Sequence, residues 1–122
     1  MAEEEAAITP VKAQLDAYNA RDLEAFLRHW HPDCVVHLFP DQPVTQGLDQ
    51  LRAAHVERFR EPNLHARLNS RIAVGNVVVD HETVTRTFPE GPGELEVIAI
   101  YEVVEGRIAR AWFQRGAPRL QG

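Results

Sequence analysis

Cys34 is the only cysteine among 122 residues, which excludes an intrachain disulfide and allows a reducing compartment. Positive charge is scarce: 13 Lys and Arg face 18 Asp and Glu, for a net charge of −5. No basic cluster offsets that balance, so a nucleic-acid footprint is not expected. No apolar run is long enough to span a bilayer, and no membrane partner is expected. The first residues, Met1-Ala-Glu-Glu-Glu5, are acidic where a secretory leader would be basic and then apolar, so the cytoplasm is the expected compartment. What remains is an ordinary soluble composition, and the length suits one core. Residues 1–122 read as a single domain with a loose tail over 117–122.

The clearest pattern runs from Glu94 to Arg115 and reads as two long strands joined at Glu105-Gly106. Leu95, Val97, Ala99, Tyr101 and Val103 share one face, which must lie against a core. Upstream, Thr9-Pro10 predicts a helix start with Val11, Leu15 and Tyr18 on one stripe. Asp22 is a cap for a second helix carrying Leu23, Phe26, Leu27 and Trp30, ended by His31-Pro32. Val35–Phe39 and Val44–Gln46 form a small β pair, and Gly47 opens a third helix with Leu48, Leu51, His55 and Phe59 on its stripe. Leu64, Ala66, Leu68, Ile72 and Val74 alternate as a half-buried strand, Val77–Phe88 forms another, and 89–93 reads as a surface loop. This order predicts an α+β fold with helices on one face of a curved sheet.

Tyr18-Asn-Ala-Arg-Asp-Leu-Glu-Ala-Phe26, Pro32-Asp-Cys-Val-Val-His37, Gly47 before a helix and Tyr101-Glu-Val-Val-Glu-Gly-Arg-Ile108 carry a resemblance. The chain resembles the ketosteroid isomerase and nuclear transport factor 2-like superfamily, within it the SnoaL-like, steroid delta-isomerase-related proteins. The resemblance implies a cone-shaped α+β barrel: a curved antiparallel sheet wrapped around three N-terminal helices, with a small-molecule pocket and a homodimer through the other sheet face. It also implies where isomerase chemistry would sit. The tyrosine position falls on Gln14, the base on Leu38 and the protonated acid on Ala99, so the usual isomerase residues are absent. The epoxide-hydrolase relay would fall near Glu82, Val84 and Phe113, with only Glu82 ionisable.

Candidate chemistry therefore rests on what remains. His55 could act as a base near neutrality or simply pack between Leu51 and Phe59 with one hydrogen bond. Asp80-His81-Glu82 interrupts an apolar strand, and the member that faces inward depends on the Gly75-Asn76 turn. A two-residue turn sends His81 to the face of Leu68 and Ile72; a three-residue turn sends Asp80 and Glu82 there. The three-residue form is favoured both here and at Glu105-Gly106, which puts Glu82 inward, unless it only bridges Arg67 or Arg71. His55, Glu82 and Tyr18 are the expected catalytic side chains, with Trp30, Leu38, Phe59, Ala99, Tyr101 and Phe113 as walls. His29, His31, Asp33, Cys34 and His37 do not share a face, and no metal or cofactor is expected. The expected ligand is small, apolar and oxygenated; the expected homodimer uses the outer face of Ile98, Ile100 and Trp112. An acid–base isomerase, lyase or hydrolase and a non-catalytic binder or assembly protein are both open.

Overall fold

The structure, a computed structural model, describes residues 2–121. Three helices, α1 (Ala2–Ala20), α2 (Leu23–Leu27) and α3 (Gly47–Val56), pack on a curved, unclosed sheet. The strands are β1 (Trp30–Leu38), β2 (Gln42–Gln46), β3 (His65–Val74), β4 (Val77–Phe88), β5 (Gly91–Val104), β6 (Arg107–Arg115) and β7 (Arg119–Leu120). Their spatial order is β2-β1-β6-β5-β4-β3, with β7 beside β5. All pairings are antiparallel except β1 with β6. That parallel contact joins the small β pair to the long strands, and no local turn announces it.

Helix α1 begins well before Thr9-Pro10, the start its caps suggest. Thr9 Oγ1 donates to the Glu5 carbonyl at 3.0 Å, and Pro10 sits inside the helix with its ring buried. Glu3, Glu4 and Glu5 occupy the first turn, where they favour the positive end of the helix dipole. Ala7, Val11 and Leu15 are buried on the stripe facing the sheet, each larger side chain contributing roughly 1.5–3 kcal/mol by leaving water. Asp22 caps α2 as its sequence predicts, accepting from Ala25 N at 3.1 Å. Trp30, expected on that helix, instead opens β1: Ile108 N donates to His29 O at 2.9 Å and draws the backbone into the parallel pairing.

The turns at Gly75-Asn76 and Glu105-Gly106 are both two-residue turns, not the three-residue form. Val104 pairs with Arg107 across Glu105-Gly106, both at positive φ (54° and 78°), the geometry whose twist matches that of strands. A bulge at Ala109 then restores parity, so Ala111 and Phe113 oppose Tyr101 and Ala99. At Gly75-Asn76, Val74 pairs with Val77, and His81 does share a face with Ile72. That face is the solvent one: Ile72 is 65% exposed. A bulge at Asn69 swaps the strand's faces, so Ala66 and Leu68 pair with Val84 and Glu82 on the inner side.

The segment read as a surface loop over 89–93 is only a tight turn, because β4 runs to Phe88 and pairs with Gly91. The tail read as loose is tied to the sheet over part of its length. Arg119 and Leu120 pair with Glu94 and Gly93, and Arg119 reaches the carboxylates of Glu94 (3.0 Å) and Glu96 (2.8 Å). A Cβ at Gly93 would run into the Arg119 carbonyl, so only glycine admits this close approach. Residue 122 of that tail lies outside the described residues. Among the described residues no helix is long and apolar enough to cross a membrane.

Candidate functional site

Between the concave sheet face and the helices lies a cavity of about 180 Å³. Strand parity builds its floor. Glu82, Val84 and Arg86 alternate inward on β4, Leu95, Val97 and Tyr101 on β5, and Phe113 and Arg115 on β6. The helices supply the roof through Gln14, Tyr18, Phe26 and His55.

Glu82 is 5% exposed, and its Oε2 has no hydrogen-bond partner. Burial raises its pKa, the charge of neighbouring Asp80 adds to the effect, and together they push it up to about 7. Asp80 is fully buried but satisfied: Arg71, its cross-strand partner, donates to it at 2.7 and 2.9 Å. The bridge offered as an alternative for Glu82 thus belongs to Asp80, one inward position along the strand. His81 points the other way and meets Glu96 on the outer face at 2.5 Å. Arg119 first, then His81, hold the Glu96 carboxyl down to about 2.

Trp30 also lines the cavity, with its buried Nε1 unpartnered. Tyr101 is 3% exposed and accepts from Gln14 Nε2 at 3.3 Å, which leaves its own proton free to donate. Burial first, then the nearby Glu82 and Asp80, raise the Tyr101 pKa well above the ordinary phenol value, so it remains a donor.

His55 lines the cavity within an aromatic cluster, its ring centroid 4.6 Å from Phe26 and 5.5 Å from Phe59. Its Nδ1 lies 2.9 Å from the Leu51 carbonyl, and burial holds its pKa down, so it is neutral at pH 7. Tyr18 is in the lining, its hydroxyl raised by burial and opposed by Arg58 beside it. Phe113 is in the lining too.

Leu38, Phe59 and Ala99 lie outside the lining. Leu38 sits at the end of β1, paired with Phe113. Phe59 is buried behind Tyr18, edge-on at 5.3 Å, and Ala99 is fully covered in the floor. Cys34 is buried, and burial raises its thiol pKa. Among the described residues no group of three His, Cys, Asp or Glu side chains could hold a metal ion.

Sequence reasoning missed Gln14 as a donor and three arginines in the lining, Arg58, Arg86 and Arg115. A parity signal existed for two of them, since Arg86 follows Glu82 by four residues and Arg115 follows Phe113 by two.

The SnoaL-like domain family matches residues 11–111. No curated protein matches the chain. An uncharacterised cystatin-fold protein from Novosphingobium aromaticivorans superposes with a TM-score of 0.81 at 25% identity, covering 89% of this chain and 97% of its own. IdmH of Streptomyces antibioticus, described as a proposed polyketide cyclase, gives 0.76 at 20% identity over 89% and 91%. An LEH-like epoxide hydrolase of M. tuberculosis gives 0.73 at 21% identity over 92% and 85%. At those identities the last two likenesses concern the fold alone.

Proposed function

The chain belongs to the SnoaL-like domain family, and from that premise we propose an acid–base enzyme acting on a small, mostly apolar, oxygenated molecule. The observation that carries the reading is Glu82: a buried carboxyl with an unpartnered oxygen in a largely apolar cavity, titrating at about 7. At neutral pH such a group exists in both forms, so it can take a proton and return it.

In this reading, ionised Glu82 removes a proton from a carbon next to a carbonyl. The C–H electron pair moves to the carbonyl oxygen as an enolate. Trp30 Nε1–H and the Tyr101 hydroxyl are the donors available to that oxygen. Glu82, now protonated, returns the proton to a different carbon in an isomerisation, or to a departing oxygen in an elimination. Tyr18 and neutral His55 shape and polarise the same cavity. The chemistry needs no group beyond these side chains.

The test is proton exchange. Single-ring ketones and enones incubated in heavy water with the protein are followed by NMR for deuterium uptake beside the carbonyl. Exchange that rises through pH 7 and vanishes in Glu82→Gln supports the mechanism; equal exchange in both proteins removes it. A second reading, a non-catalytic binder, is favoured by Gln14 and Ala99 standing where the isomerases act. It predicts thermal stabilisation by apolar ligands without exchange.

A further inference from the structure

Arg58, Arg86 and Arg115 come from three different elements and line the same cavity. Arg58 lies in the 3₁₀ turn after α3, Arg86 near the end of β4 and Arg115 at the end of β6. None of the three has an ion-pair partner among the described residues. Other arginines behave differently: Arg52, Arg60, Arg71, Arg110 and Arg119 all hold carboxylates.

The acidic groups nearby are engaged or lie elsewhere in the cavity. Glu61 acts on Arg86 through space, but its oxygens accept from the Thr87 and Asn63 backbone N–H groups. Glu82 shares the cross-strand row of Val97 and Arg115. Two strand spacings separate the Cα atoms of Glu82 and Arg115, about 10 Å, and both side chains face the cavity. The Tyr18 hydroxyl sits beside Arg58. Burial first, then repulsion from Arg58, depress both Arg86 and Arg115, and Arg115 also repels Arg86.

We propose that the cavity takes a small organic acid, with its carboxylate seated among Arg58, Arg86 and Arg115 and its apolar body reaching in toward Glu82. Guanidinium groups bind carboxylates through paired N–H donors, and three of them lining an apolar cavity fix a ligand's orientation. Size limits the body. An apolar cavity of about 150 Å³ accepts one benzene ring; the present volume of about 180 Å³ suits a single ring or a short branched chain, not a four-ring steroid. This deepens the proposed function and rests on it for the reaction, but binding is measured without turnover.

The experiment is calorimetric titration of the full chain with benzoate and cyclohexanecarboxylate, against benzamide and inorganic phosphate as controls. Benzoate is expected to bind at least about tenfold more tightly than benzamide, and to weaken about tenfold in each of Arg86→Gln and Arg115→Gln. Arg86→Lys, which keeps charge but loses the paired donors, should fall between. Thermal unfolding of each variant confirms that it is folded. Glu82→Gln should retain benzoate affinity while losing exchange, so failure of the chemistry and failure of the anion site are separable. The proposal is overturned if benzamide matches benzoate, if phosphate competes as well as benzoate, if neither acid binds at millimolar concentration, or if folded Arg86→Gln and Arg115→Gln bind unchanged.

Discussion

Glu82→Gln tests the buried carboxyl without requiring any substrate. The folded protein holds the Glu82 proton up to about 7, whereas an unfolded chain releases it near the ordinary carboxyl value of 4.5. Below 4.5 both states are protonated, and the side chain imposes no ionisation penalty. Between 4.5 and 7 the unfolded state loses its proton first, so stability falls as pH rises; above 7 both states are ionised and the loss is complete. At about 1.4 kcal/mol per pH unit, the gap amounts to about 3 kcal/mol. Little of this is screened, because Glu82 is 5% exposed. Glutamine keeps the shape and has no such titration. The variant should match the wild type near pH 4.5 and exceed it by about 3 kcal/mol above pH 7, a shift on the order of 12 °C in Tm. Urea titrations of both proteins at half-unit steps from pH 4.5 to 8 read the difference directly. Parallel stability curves across that range would show a carboxyl titrating normally, and the mechanism would lose its base.

Three further outcomes follow from the packing. Asp80→Ala strands the Arg71 guanidinium and should cost about 3 kcal/mol in urea unfolding, the low end for a buried pair because Arg71 keeps 13% side-chain exposure; Asp80→Asn should also lower the Glu82 pKa, read by carboxyl NMR, and an unmoved pKa would refute the coupling. Leu64→Ala should cost about 2–5 kcal/mol and Ile72→Ala less than about 0.5, since Leu64 is 2% exposed and Ile72 65%; similar costs would contradict the face swap at Asn69. The homodimer we propose across Ile98, Ile100 and Trp112, where Ile98 is 36% exposed, predicts a dimer by sedimentation at micromolar concentration and a monomer for Ile98→Glu; a monomeric wild type ends that proposal.

Local pattern carried a great deal. The alternation of Leu95, Val97, Ala99, Tyr101 and Val103 identified the face that is buried, the Asp22 cap marked α2, and the quoted motifs pointed to the family. These signals are legible because a strand's two-residue period and a helix cap are written within a few neighbouring residues. Glu82 faces inward although the three-residue turn expected to put it there does not form. Tertiary structure supplied the bulge at Asn69 that makes the assignment hold. Trp30 looked helical because its spacing suited α2, but pairing with Ile108, far along the chain, made it a strand residue.

The contents of a cavity are harder to read than its walls. Arg86 and Arg115 shared the parity of inward residues, yet long charged side chains at strand ends usually turn to water. Their convergence with Arg58 depends on where three separate elements stop in space. The same holds for the unpartnered Trp30 Nε1 and Glu82 Oε2, since an orphan polar atom is defined by everything around it. The sequence alone determined the buried face of β5 and the cap of α2, because an unbroken strand alternation and a helix cap depend on local geometry, whereas the bulge at Asn69 reversed the faces of β3. The tertiary structure decided which faces meet, and with them the pairing of Asp80 with Arg71 and the charge of Glu82, because burial and electrostatics arise from residues distant in the chain.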